Sequence, residues 1–307
     1  MSSFQLFSRL FKDQCTSVDD LENKGKKIIT AKPNHEVPSD SLQNPSDEEA
    51  GYSGHKDQGY QVQVMETYSV NIDKKQLSLI THIEVESADK QDANALLPAL
   101  NNTDKRDMSP KELLADSLYG SDDNVTKAKQ DYQTDLLATV MGTKYKGLGL
   151  KQFAMDNKTQ ITLCPEGIKP ISVKKPNKRY IAKFNSSDYS ACPQLINYPV
   201  SAYKKAHTCY YNWKIIRISK RRENEDTGSF RNVYRYRTGI EATISQYDPL
   251  TGDKHLRVRG LKAVSFAATL KALGLNILRS ASFKFDQKWL CSIRKSGALK
   301  MAVYIDF

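Results

Sequence analysis

The chain has 307 residues, a hydrophobic share of 39% and a net charge of +11, which leaves room for one large domain with an insertion or for two small ones. No apolar run approaches the length needed to cross a bilayer, and the opening MSSFQLFSRLFKDQC lacks the apolar centre of a signal peptide, so membrane and export classes are excluded and a cytoplasmic protein is expected. Charge is divided unevenly: residues 1–140 hold 15 Lys and Arg against 24 Asp and Glu, whereas residues 141–307 hold 31 against 11, the footprint of a polyanion-binding half with nucleic acid as the leading partner.

In chain order, a short amphipathic helix is predicted at Phe4–Phe11, followed to residue 50 by polar text with the composition of a linker. Tyr60–Tyr68 (YQVQVMETY) alternates with period two and predicts a strand, and Gln76–Glu86 predicts its antiparallel partner. A helix begins at Asp92. The apolar run of ELLADSLYG (Glu112–Gly120) predicts a strand ending at Asp116, and Ser121 is placed to cap a helix with Asp122 and Asp123 in its first turn. Leu136–Met141 is a further strand, giving a mixed α/β sheet. From Gly142 to Arg222 the pattern becomes basic, with short β-like pieces, and reads as an inserted subdomain. Helices are predicted at Arg231–Ser245 and Gly260–Ser280, with a last strand at residues 301–307. The expected organisation is therefore a linker (1–50), a first core part (51–141), the insertion (142–222), carboxy-terminal core helices (223–281) and a tail (282–307). The five cysteines, Cys15, Cys164, Cys192, Cys209 and Cys291, are scattered and odd in number, which favours free thiols over disulfides or a zinc site.

Three groups could carry chemistry. Asp116 stands at the carboxyl end of an apolar strand, where open α/β sheets present working groups, and Gly120 lets the chain turn away. A carboxylate there suits a hard divalent cation, and it equally suits a cap or a loop charge. Tyr234, Arg237 and Glu241 recur at helical spacing, so an acid, a guanidinium and a phenol are expected on one face; the bland alternative is a surface Arg–Glu pair. Arg235 and Tyr236 add basic and aromatic character beside them. Lys254, His255, Arg257, Arg259 and Lys262 form a basic strip ahead of the long helix, suited to phosphate contacts.

Three stretches carry a resemblance to the DDE transposases of prokaryotic insertion sequences: SLQNPSDEEAGYSGHKDQGYQVQVMETY (41–68), LLADSLYGSDDN (113–124) and YRYRTGIEATISQYDPLTGDKHLRVRGLKAVSFAATLKALGLNILRSA (234–281). The resemblance implies an RNase H-like mixed sheet with flanking helices and a basic inserted subdomain. Asp116 would be the second and Glu241 the third acid of a trio holding two Mg²⁺ or Mn²⁺ ions, and Tyr234 and Arg237 match a Tyr-x2-Arg-x3-Glu signature. Double-stranded DNA, as element ends and target, would be the partner, with self-association and without a membrane or small-molecule substrate.

Several positions depart from that pattern. Asp248 stands where many relatives carry a lysine. Tyr189 and Tyr198 stand where insertion cysteines are expected. No Asp on an apolar strand precedes YQVQVMETY, and Asp40 and Asp47 lie in polar text, so the first core strand and first acid are expected to be missing and the copy truncated and inactive alone. Two other readings stay open: a non-catalytic DNA-binding remnant or inhibitor, and an RNase H-like metal nuclease that cuts without joining.

Overall fold

The computed structural model describes residues 2–20, 25–69, 77–142, 149–190, 192, 197, 199–203, 206–251 and 256–296, with side chains described to 248 before the gap at 252 and to 285 at the end. It is a mixed α/β structure with several small sheets. The chain divides into two compact units, one of residues 1–109 and 236–307, the other of residues 110–235.

The first unit opens with α1 (Ser3–Gln14), capped by Ser2 and Gln5 in a reciprocal capping box. The text read as a linker then contains an antiparallel hairpin, β1 (Cys15–Asp19) and β2 (Lys27–Ala31). Arg9 donates to the carbonyls of Asp40 and Glu48, and Leu42 N–H donates to Asp13, which ties the following polar segment down. β3 (Gly51–Ser53), β4 (Asp57–Glu66) and β5 (Ile80–Ser87) form an antiparallel sheet in that order. β5 starts four residues later than the periodicity of 76–86 predicts, and residues 70–76 lie outside the described set. α2 (Leu96–Asp104) follows, burying Leu96, Ala99 and Leu100.

The second unit begins with β6 (Glu112–Leu114), α3 (Asp122–Tyr132) and β7 (Asp135–Leu137), with β6 and β7 paired in parallel. Ser121 caps α3 as predicted, its hydroxyl accepting from Asn124 N–H at 3.1 Å. The strand predicted at 136–141 stops at Leu137; beyond it Val140 N–H donates to Glu225 Oε1 at 2.7 Å and Arg221 takes the carbonyl of Ala138, so side chains replace a ladder.

The stretch read from the sequence as an insertion contains a small pair, β8 (Ala154–Met155) and β9 (Ile161–Leu163), then β10 (Ser172–Lys174), β11 (Tyr180–Asn185), α4 (Ser186–Ser190), β12 (Val200–Ala202) and β13 (Ala206–Tyr211). The last four strands make an antiparallel sheet ordered β10-β11-β13-β12. Its inner face carries Tyr180, Ala182, Phe184, Cys209 and Tyr211, packed with Ile161, Tyr189 and Ile216 into one apolar core. Cys164, Cys192 and Cys209 belong to that core and form no disulfide with one another, and burial pushes the Cys209 thiol up to about 12.

α5 (Trp213–Glu225) was not expected from the sequence; Asn212 caps it, accepting from Ile215 N–H at 2.9 Å. α6 (Gly228–Tyr234) closes the second unit, and a 3-10 segment (Arg235–Thr238) leads into α7 (Gly239–Thr251) of the first. The single helix predicted at 231–245 is thus interrupted. α8 (Leu261–Ser296) lies on the sheet, where Val264 and Ala268 meet Val85, and Ala272 and Leu275 meet Ile80 and Tyr247. Asn276 exchanges two bonds with the backbone of Ile80, at 2.8 and 2.9 Å. Leu261–Phe285 is, by length and composition alone, long and apolar enough to cross a membrane, contrary to the reading of the sequence. Its packed face and the polar bonds of Asn276 are those of a helix laid on a sheet. The strand predicted at 301–307 lies outside the described residues.

β5 also packs against α2, and on it His82 is buried. Burial lowers its imidazole below the ordinary 6.5, Arg106 adds to the lowering, and Glu84, 3.3 Å away, opposes it. The unfolded chain therefore takes up this proton at a higher pH than the folded one. Stability from this group is complete above 6.5 and is lost as pH falls from there towards the lower folded value. Melting temperatures recorded from pH 7.5 to 5.5 are expected to fall more steeply for the native chain than for His82→Gln; equal slopes would refute this.

Candidate functional site

Asp116 lies two residues past the end of β6 and is exposed. It caps the 3-10 turn Ser117–Tyr119, its Oδ1 accepting from Ser117 N–H at 2.6 Å, so the local capping role and an outward-facing carboxylate coexist. Gly120 is required by close approach: a Cβ there would stand 2.1 Å from the carbonyl oxygen of Thr139. The turn expected after Asp116 is thereby fixed against the segment leaving β7.

Tyr234, at the end of α6, donates its hydroxyl to the carbonyl of Ala115 at 3.1 Å, and its ring stacks on Phe230 at 5.1 Å. Two residues 119 positions apart are joined by that bond, and one is the immediate neighbour of Asp116. Arg235 is exposed at the start of the 3-10 segment.

In the other unit, Arg237 Nη1 lies 3.3 Å from Glu241 Oε1, the i,i+4 pair expected from the spacing. The Glu241 side chain is 61% exposed, and a pair so open to solvent is worth about 0.3–0.5 kcal/mol. Such a bond holds the carboxylate loosely and leaves it able to exchange partners. Tyr236 stacks on Tyr68 with ring centres 6.3 Å apart. Thus Tyr234 belongs with Asp116, and Arg237 with Glu241; the 3-10 segment removes the unbroken helix on which a single face for all three was predicted.

The basic strip is described in part. Arg257, Arg259 and Lys262 are exposed around the start of α8, while Lys254 and His255 lie outside the described residues. Asp47 and Glu49 serve the same helix start: Asp47 accepts from Gly260 N–H at 3.2 Å and from the Tyr60 hydroxyl at 2.5 Å, and Glu49 accepts from Leu261 N–H at 2.7 Å. Burial and these acids raise the Tyr60 phenol. Asp47, considered from the sequence as a stand-in first acid, is instead a buried helix-start ligand.

The sequence reading missed Glu66. Its Oε2 lies 3.0 Å from Arg279 Nη1 and accepts from the Thr243 hydroxyl at 2.5 Å, and Arg279 Nη2 donates onward to Thr243 and Gln246. The signal was present: Glu66 shares strand parity with Val62 and Val64, which face α8, so an acid there had to point inward.

As for a metal, exposed carboxylate oxygens at Asp116 and Glu241 are donors of the right chemistry for Mg²⁺ or Mn²⁺. Among the described residues no three His, Cys, Asp or Glu side chains are grouped as metal ligands.

Residues 163–281 match the family described as the transposase DDE domain, a stretch that contains Tyr234, Arg237 and Glu241 and lies beyond Asp116. Compared with curated proteins and with solved structures, the chain has no match. Over residues 163–281 the chain is therefore similar to the transposase DDE domain, a stretch of 119 of its 307 residues.

Proposed function

We propose that this chain acts in DNA transposition of the insertion-sequence kind, cutting DNA at element ends and joining the freed 3′-hydroxyl to target DNA. In this reading the core is RNase H-like, and Asp116 and Glu241 are its acidic residues. The observation that carries it is the bond from Tyr234, the first residue of the Tyr-x2-Arg-x3-Glu text, to the carbonyl of Ala115, the neighbour of the acid that follows β6. The family match over the same segment supports it independently.

Each residue has a role that follows from its chemistry. The carboxylates of Asp116 and Glu241 would hold divalent ions, which when bound activate an attacking oxygen and stabilise a leaving one. Arg237 can move from Glu241 to a phosphodiester oxygen, because the guanidinium binds either anion through the same donors. Tyr234 is a positioning residue: its hydroxyl fixes the carbonyl next to Asp116.

The test is an assay with Mn²⁺ and a duplex bearing an element end, using the native chain, Asp116→Asn and Glu241→Gln. Cleavage and joining by the native chain, reduced by about 10²–10³-fold in each variant, is the result that supports this reading and overturns the expectation of a chain inactive alone for want of a first acid, the size being that of losing one electrostatic stabiliser. Cleavage without joined products would replace the reading with a metal nuclease. DNA binding with neither product would leave a non-catalytic binding protein.

A further inference from the structure

The four-stranded sheet of the insertion has one face that its own core does not cover. The register sets its content. Lys174, Ile181 and Tyr210 form one cross-strand row, and Ser172, Lys183, Thr208 and Ser201 form the next, with Thr208 buried and Ile181, Tyr210 and Ser172 half-buried among them, because Tyr180, Ala182 and Phe184 alternate to the opposite side, which faces the core. Lys174 and Lys183 are exposed, and so are Lys178 and Arg179 in the turn between β10 and β11. Arg179 folds back over this face, its guanidinium 4.4 Å from the centre of the Tyr210 ring. A shallow groove of about 370 Å³ runs along Lys174, Ile181 and Lys183.

Charge on this surface is of one sign. From Gly167 to Ser187 the sequence holds six Lys and Arg and no Asp or Glu, and none of the four strands contains an acid. A face that served only for solubility would be expected to mix signs, as protein surfaces ordinarily do. Here the cations repel one another unless an anion neutralises them. The arrangement suits a repeating anion, since same-face residues along a strand recur every 7 Å or so and strands lie about 5 Å apart.

We propose that this sheet face, made of segments that carry neither Asp116 nor Glu241, binds the sugar-phosphate backbone of duplex DNA without reading sequence. The occupant is duplex DNA, the substrate of the role above; Tyr210, the ring in the row of Lys174 and Ile181, is already covered by Arg179 and is not open to a stacked base. The inference rests on the DNA-acting role above, but its test needs neither metal nor chemistry.

Binding of the full chain to a 30-base-pair duplex of arbitrary sequence is measured by fluorescence anisotropy in EDTA, over a series of salt concentrations. The triple variant Lys174→Ala, Arg179→Ala, Lys183→Ala is expected to bind about tenfold or more weakly at moderate salt, with the slope of log K against log salt shallower by about 2 to 3. The charge-preserving pair Lys174→Arg, Lys183→Arg should bind like the native chain, which guards against a folding defect. A control triple of exposed lysines elsewhere, Lys12→Ala, Lys105→Ala, Lys127→Ala, should stay within about twofold. Equal losses in both triples, no loss in the first, or no binding by the native chain would each overturn the proposal. A chain that binds through this face yet forms no products with Mn²⁺ would leave it standing and sink the catalytic reading instead.

Discussion

Replacing Glu66 with alanine is expected to destabilise the first unit by about 3–5 kcal/mol, the usual cost of removing one partner from a buried ion pair. The Glu66 side chain is 9% exposed and that of Arg279 16%, so water cannot take over the guanidinium that remains. The loss is compounded at Thr243, whose hydroxyl donates to the same carboxylate and accepts from Arg279. These bonds connect β4, α7 and α8, so the damage is not confined to one element. Glu66→Gln keeps an acceptor for Thr243 and should cost less than the alanine variant. Denaturant unfolding followed by circular dichroism measures both; a loss below about 1 kcal/mol for Glu66→Ala would mean that the pair is as weak as a surface bridge.

Arg217→Ala is expected to cost the second unit about 2–3 kcal/mol. Two bonds join the guanidinium to Asp122, Nε to Oδ1 at 3.1 Å and Nη2 to Oδ2 at 2.6 Å. The Asp122 side chain is 1% exposed while that of Arg217 is 45% exposed, so half of the pair is already screened and the full penalty for a buried pair is reduced. What remains after the substitution is a buried carboxylate left to the amino-terminal end of α3 and the charge of Arg221. Asp122→Asn combined with Arg217→Ala should recover part of the loss, because the asparagine carries no charge to desolvate. A double variant no more stable than Arg217→Ala alone would contradict the buried-charge explanation.

Much of the local architecture was legible without coordinates. The period-two text of β4, the Ser121 cap of α3, the glycine that releases the chain after Asp116 and the long apolar helix α8 all follow from side-chain spacing or backbone limits that act over a few residues. α5 escaped because its apolar residues, Trp213, Ile215, Ile216 and Ile218, are confined to its first half and the rest is charged or polar, so the stripe covers less than two turns. β1 and β2 escaped for a related reason: no residue of either is buried, so no alternation was imposed on them.

By itself the sequence determined which groups are available: two acids in text that resembles the DDE transposases, an arginine one helical turn before the second, and a basic carboxy-terminal half. It could not determine pairings that depend on distant segments. Only the tertiary structure decided that Tyr234 bonds beside Asp116, that Asp47 serves the start of α8, that Glu66 is neutralised by Arg279, and that the lysines of β10 and β11 share one uncovered face. The reason is the range of the forces involved. Propensity, capping and periodicity are settled between neighbours, whereas a hydrogen bond between residues 115 and 234 exists only once the intervening chain has folded and brought donor to acceptor.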